Sequence, residues 1–196
     1  MGKGQNQCGI SRLEYIGGRK RTLTAEKSEM SVPHIKRPSG RENVPVPENC
    51  HPKIRALMDY WQSIHPEPGR LPGRQHFDPV EIPELLANLW LIDVARDPIK
   101  FRFRLIGTLV VDYAGEDNTG KWLHERWPNF DDSGYVSVVE TRQPSWARGP
   151  SRFRPEKEYY EIERVRLPLA ADGETVDMIV ALTVFFDRNG DEIFRN

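Results

Sequence analysis

The chain has 196 residues, which suits one domain with an appendage, and it is 38% hydrophobic and 29% charged. Its formal net charge of −1 argues against nucleic-acid binding driven by overall charge. No apolar run approaches the roughly 18 residues that a membrane-spanning helix needs, and no signal peptide is visible. The two cysteines, Cys8 and Cys50, lack the spacing of a metal site or redox pair, so we expect reduced thiols and a cytoplasmic protein.

The first fifty residues differ in composition from the rest of the chain. They carry nine Lys or Arg and five Asp or Glu, whereas residues 51–196 carry 19 and 24. Because residues 1–50 show no sustained hydrophobic period, we predict a largely disordered or extended segment. The basic run Arg19–Arg21 is interpreted as part of a solvated tail. Met30 is an alternative translation start, a hypothesis from composition alone.

The first predicted element is an amphipathic helix over His51–His65. Pro52 suits a first helical turn, and Pro66 lies just past the end. Its apolar residues recur at helical spacing and must be covered by the domain's own sheet or by a second chain. We predict a homodimer in which this stripe takes part. The interface candidates are Ile54, Leu57, Met58, Trp61 and Ile64.

Residues 78–106 predict a short helix followed by two antiparallel strands. Asp78 is a candidate N-cap for a helix that runs to about Asn88. A compact apolar strand, Trp90–Val94, then precedes a turn at 96–98. Lys100–Ile106 alternates, which predicts Phe101, Phe103 and Leu105 on one face and Arg102, Arg104 and Ile106 on the other.

The remaining elements are three short helices, a brief strand and a hairpin. The helices are predicted over Thr108–Ala114, Lys121–Trp127 and Ser133–Thr141, and the brief strand over Ser145–Arg148. Tyr159–Leu169 and Val176–Phe186 form the hairpin, with its turn at Asp172-Gly173. Residues 188–196 read as a polar tail. No βαβ alternation that would build a parallel sheet is present.

Two strands, several small helices and three strands is the element order of the PAS domain. The stretches WLIDVARDPIKFRFRLIGT, NTGKWLHERWP, VVETRQP and ERVRLPLAADGETVDMIVAL occur in the same order as in that family. Over about Lys53 to Phe186 the chain resembles the PAS-like domain family found as stand-alone proteins in alphaproteobacteria.

The resemblance implies an α+β fold, with a PAS-like domain over residues 51–187. It implies a five-stranded antiparallel sheet in the order 2-1-5-4-3, with short helices enclosing a pocket on one face. It further implies sensing or signalling, often through dimers. The sequence shows no kinase, cyclase or DNA-binding output module, so we expect any signal to pass to another protein, which the sequence does not identify. Fold alone does not assign a ligand.

A mostly apolar small-molecule pocket is the more specific functional hypothesis. Arg104 or Arg164 would meet a carboxylate if either side chain points inward. The alternative is that the same aromatic side chains simply fill the core. The pocket candidates are Phe103, Leu105, Tyr113, Trp122, Tyr135, Trp146, Arg164, Met178 and Val180.

Cofactor and catalytic chemistry find little support in the sequence. Both cysteines precede the domain, which argues against flavin photochemistry, and His124 has polar neighbours, which argues against haem ligation. The histidines are too scattered for a metal site. Asp112, Glu116 and Asp117 read as a helix end and loop, while Glu161 and Glu163 read as the polar side of a strand.

We therefore predict a sensory or signalling protein rather than an enzyme, with no membrane or nucleic-acid partner. Its cofactor, if any, is unknown. Two alternatives stay open at this point. One is a ligand-free scaffold that only docks a protein partner, and the other is a small enzyme on a related cone-shaped α+β architecture.

Overall fold

The computed structural model describes residues 45–150 and 161–193, and its central feature is one antiparallel sheet. Four α-helices and five strands follow one another in the described ranges. The helices are α1 (Pro52–Ser63), α2 (Thr108–Ala114), α3 (Leu123–Arg126) and α4 (Ser133–Thr141). The strands are β1 (Leu89–Ala95), β2 (Lys100–Ile106), β3 (Ser145–Pro150), β4 (Glu161–Leu169) and β5 (Met178–Phe186). The sheet order β2-β1-β5-β4-β3 confirms the predicted α+β fold.

The predicted helix over residues 78–88 is instead two short 3₁₀ helices, Pro79–Glu81 and Pro83–Asn88. Asp78 does cap the first of them, because its carboxylate accepts a hydrogen bond from the Val80 amide at 2.9 Å. Pro83 lacks an N–H and restricts the backbone of the residue before it, which prevents one continuous α-helix. A third 3₁₀ helix, Arg74–His76, lies in the preceding loop.

Helix α1 packs across the sheet of its own chain. Ile54 and Leu57 are fully buried, and the Trp61 indole N–H donates to the Pro168 carbonyl at 2.9 Å. Met58 is also buried, and Ile64 is half-buried against the core. The stripe predicted for a dimer interface is thus covered by the sheet, so its side chains are not presented to a second copy. Dimerisation itself stays a prediction.

A β-bulge in β2 reverses the predicted facing of its last residues. Leu105 lies opposite Leu91 and Phe103 lies opposite Ile92, so Arg104 is an extra residue without a cross-strand partner. The alternation predicted for β2 is therefore correct only up to Phe103. Beyond the bulge, Leu105 is 48% exposed and Ile106 turns toward the helices.

The ends of the domain are held by contacts that the sequence did not predict. Within the segment expected to be a polar tail, the chain bends back so that the Ile193 amide donates to the Phe185 carbonyl at 2.8 Å. The Glu192 carboxylate pairs with Lys53 on α1 and lies 3.3 Å from the His51 ring. Apart from residues 45–50, the segment predicted to be disordered lies outside the described residues.

Candidate ligand-binding site

A small cavity lies between helix α2 and the face of the sheet opposite to α1. Five of the eleven residues that line it are aromatic: Trp90, Phe103, Tyr113, Trp127 and Phe185. The cavity volume is about 30 Å³. That volume holds about one or two water molecules, whereas small-molecule sites usually span roughly 300–1,000 Å³. Side chains therefore fill nearly all of this space.

The polar part of the wall is formed by Arg164, Asn118 and Thr183. Arg164 is 2% exposed, and its guanidinium lies 4.9 Å from the centre of the Trp90 ring, in cation–π geometry. Its Nε donates to the Thr183 hydroxyl at 3.2 Å, since the two residues are direct cross-strand partners on β4 and β5. Arg164 thus places a guanidinium on the wall of a cavity that is apolar apart from Asn118 and Thr183.

The structure brings together only part of the predicted pocket. Phe103, Tyr113 and Arg164 line the cavity, and Tyr135 packs beside it on the Trp90 ring, with centroids 6.1 Å apart. Arg104 points away from the cavity and pairs with Asp93 at 3.3 Å. The ligand-binding role of the predicted set stays a prediction.

The other five candidates lie elsewhere. The bulge turns Leu105 to the other face of the sheet. Trp122 is half-buried, and the Arg102 guanidinium lies 5.6 Å from the centre of the Trp122 ring. Trp146 donates its indole N–H to Glu163 at 2.9 Å, on the α1 side of the sheet. Met178 and Val180 share that side, because side chains alternate along β5 and Phe185 faces the cavity.

Sequence reasoning missed Trp90, Asn118, Trp127, Thr183 and Phe185 as parts of the wall. Strand β5 is buried on both faces, so its residues show no polar–apolar alternation that would reveal which set faces the helices. The usable signal was Thr183, a hydroxyl in an apolar run, directly opposite a buried arginine. Trp90 carried no comparable signal, because β1 is also apolar on both faces at that point.

Tyr135 lies at the centre of the aromatic cluster next to the cavity. It is fully buried, and its ring packs on Phe101 at 5.3 Å and under the Arg166 guanidinium at 4.6 Å. Its hydroxyl has no hydrogen-bond partner among the described residues. Burying a hydroxyl without a partner costs about 1–3 kcal/mol.

Tyr135→Phe is therefore expected to raise the free energy of unfolding by about 1 kcal/mol, because the ring contacts stay and the uncompensated hydroxyl is removed. Urea denaturation followed by tryptophan fluorescence measures this change. Tyr60→Phe is the matched control and should be destabilising, because the Tyr60 hydroxyl donates to the Asp78 carbonyl at 3.0 Å. A loss of stability in Tyr135→Phe would contradict the conclusion that the Tyr135 hydroxyl is buried without a hydrogen-bond partner.

The residues considered for metal, haem or acid–base chemistry lie outside the cavity wall. Among the described residues, no group of three or more His, Cys, Asp or Glu side chains could hold a metal ion. His124 is exposed and contacts Asp132 at 2.8 Å. A hydrogen bond from Arg126 is the main cause that lowers the pKa of Glu116. Asp117 accepts a hydrogen bond from the Thr119 amide. These are contacts of α3 and of the loops beside it, at the surface.

A protein-family model described as the PAS domain matches residues 49–182. The chain belongs to the PAS domain family. The match covers α1, all the short helices and the sheet except the last residues of β5. No curated protein matches the chain. In the ranges that the structure describes, no helix of this PAS domain is long and apolar enough to cross a membrane.

Proposed function

We propose that this PAS domain is a sensory module that binds a small, largely apolar molecule with one acidic group between β1, β4, β5 and α2. The buried Arg164 guanidinium on the wall of an aromatic cavity carries this proposal. A carboxylate that reaches this guanidinium forms charge-assisted hydrogen bonds, and the surrounding rings supply apolar contact area.

Binding requires the cavity to open. Helix α2 has only seven residues. Gly115 follows its last residue with a φ of 83°, a left-handed conformation that glycine adopts without steric cost. Its contacts with the sheet include the Tyr113 ring against Phe185, with centroids 4.1 Å apart. Outward displacement of α2 would separate these rings and make room for a ligand. Such a displacement would change the surface around α2. A signalling partner that binds only one of the two conformations would then respond to the ligand.

The test pairs two probes of similar shape and different charge, benzoate and benzyl alcohol. We expect benzoate to bind more tightly to the native protein, as measured by titration calorimetry. We expect Arg164→Met to weaken benzoate binding by roughly tenfold or more, since a charge-assisted hydrogen bond contributes about 1.5–3 kcal/mol. Benzyl alcohol should bind the variant and the native protein similarly. Equal binding of benzoate to both proteins would contradict the proposed site.

A second candidate function is supported by the cavity volume of about 30 Å³. If side chains fill the cavity permanently, the domain acts as a scaffold that docks a protein partner without a ligand. Ala114→Leu distinguishes the two functions, because Ala114 lines the cavity and a larger side chain there occupies it. Native mass spectrometry of the purified protein should show a small molecule that is lost on denaturation, and that is absent from the variant. Absence of a bound small molecule from both proteins would favour the scaffold.

A further inference from the structure

A second, larger groove lies beyond the end of α1, between residues 61–71 and residues 141–143 at the end of α4. Its volume is about 350 Å³, within the range of small-molecule sites. The floor contains the apolar side chains of Trp61 and Leu71, and three basic side chains, His65, Arg70 and Arg142, stand around it. Nothing in the PAS assignment gives this groove a role.

The two arginines are held by the same tight turn, between β4 and β5. Arg70 donates from Nη1 to the Asp172 carbonyl at 2.7 Å, and Arg142 donates from Nη2 to the Gly173 carbonyl at 3.2 Å. Gly173 has a φ of 78°, and a Cβ there would lie only 2.8 Å from the Arg70 Cδ. The glycine therefore lets Arg70 lie across the turn. The neighbouring carbonyls of Asp172 and Gly173 thus hold the guanidinium groups of Arg70 and Arg142 close together.

Arg142 adopts a strained backbone at this position. It caps the C-terminal end of α4 with a φ of 59° and a ψ of 22°, the left-handed conformation that glycine usually supplies. A non-glycine residue held there costs about 1 kcal/mol or more. Its Nε is buried and has no hydrogen-bond partner among the described residues. Arginine at this position, where glycine would avoid the strain, suggests that the guanidinium has a role in the groove.

Two carboxylates lie near the groove, and neither of them pairs with Arg142. Glu174 approaches Arg70 at 3.4 Å, but both side chains are exposed, and such pairs contribute about 0–1 kcal/mol. The Asp172 carboxylate is turned toward the backbone N–H groups of Glu174 and Thr175, which lower its pKa to about 2. In the described part of the chain, Arg142 forms no ion pair.

His65 adds a third nitrogen that faces the groove. Its Nδ1 lies 2.8 Å from the Trp61 carbonyl, and because a carbonyl only accepts, Nδ1 carries the proton. The Nε2 atom is the other ring nitrogen, and it donates a hydrogen bond to a phosphate oxygen only when the ring is in its imidazolium form. Its ring also packs edge-on against Trp61, with centroids 4.3 Å apart, which restricts its orientation.

We propose that this groove binds a small phosphomonoester, with Arg70 and Arg142 holding the phosphate and with Trp61 and Leu71 packing against its organic part. A phosphate suits the site because two guanidinium groups match two negative charges and several acceptor oxygens. The groove volume fits a small molecule rather than an extended polymer. The inference is independent of the cavity around Arg164.

Titration calorimetry at low salt with phenyl phosphate and benzoate as probes tests the proposal. We expect phenyl phosphate to bind the native protein, and Arg142→Gln and Arg70→Gln each to weaken it by roughly tenfold or more. Arg126→Gln is the matched control, because Arg126 pairs with Glu116 away from the groove, and it should bind phenyl phosphate as the native protein does. Arg164→Met should also bind it normally, although the same variant loses benzoate.

Three results would overturn the proposal: no binding of phenyl phosphate to the native protein, unchanged binding in both groove variants, or an equal loss in Arg126→Gln. Circular dichroism first establishes that each variant is folded. If Arg142→Gln does not fold, Arg70→Gln decides the question, because Arg70 is exposed and its replacement leaves the core intact.

Discussion

Trp61→Ala is expected to lower the free energy of unfolding by about 3–5 kcal/mol, the largest effect we expect from a single substitution in this domain. Trp61 is 6% exposed and covers the sheet from the last turn of α1. Its removal leaves a cavity the size of an indole ring. It also removes the donor to the Pro168 carbonyl. That carbonyl lies in β4, so both the packing and the hydrogen bond join the helix to the sheet.

Chemical denaturation with urea measures the effect, and Gln62→Ala is the control because Gln62 is the exposed neighbour on the same helix. The control should change stability by less than about 0.5 kcal/mol. Analytical ultracentrifugation of both variants adds a second measurement. Loss of a dimer in Trp61→Ala without loss of stability would place the helix at an interface between chains and contradict its packing on its own sheet.

Glu163→Ala is expected to lower the free energy of unfolding by about 3 kcal/mol. Glu163 is 1% exposed on β4, and its Oε1 accepts from both the His51 amide and the Trp146 indole N–H, each at 2.9 Å. Each buried donor left without its acceptor costs about 1–3 kcal/mol. The carboxylate also lies 3.6 Å from Arg148. One side chain thus connects the start of α1 to β3 and β4.

Glu163→Gln separates the hydrogen bonds from the charge. An amide oxygen placed where Oε1 lies still accepts from both donors, while the pairing with Arg148 weakens, so a loss of about 1 kcal/mol is expected. The same denaturation series compares the two variants with the native protein. Equal losses in Glu163→Ala and Glu163→Gln would show that charge pairing, rather than acceptance of the two hydrogen bonds, makes Glu163 important.

The predictions about single elements rested on local patterns, and most of them were close. Helix α2, helix α4 and strand β2 begin and end where the periodicity indicated. The sheet order followed from the family resemblance rather than from any pairing signal in the residues. The helix over residues 78–88 was wrong because its hydrophobic spacing did not account for the backbone restriction that Pro83 imposes.

The candidate site was harder to predict because it depends on which face of each strand meets the helices. The sequence identified Phe103, Tyr113 and Arg164, but the bulge at Arg104 exchanged Leu105 for Ile106 on the cavity side. An insertion of one residue reverses all later side chains in a strand, and no local pattern marked it. The groove around Arg142 was not predicted, since its residues come from two segments, 61–71 and 141–143, that lie far apart in the chain.

By itself, the sequence determined most of the elements, the amphipathic stripe of α1 and the tight turn at Gly173, because these depend on periodicity and turn chemistry within short stretches. The PAS-like family followed from the resemblance of four sequence stretches. Only the tertiary structure decided that α1 covers its own sheet, that the aromatic cavity is nearly filled, and that Arg70 and Arg142 meet on one turn. These features depend on contacts between residues far apart in the chain, and side-chain volumes and strand register set them only when the whole core packs together.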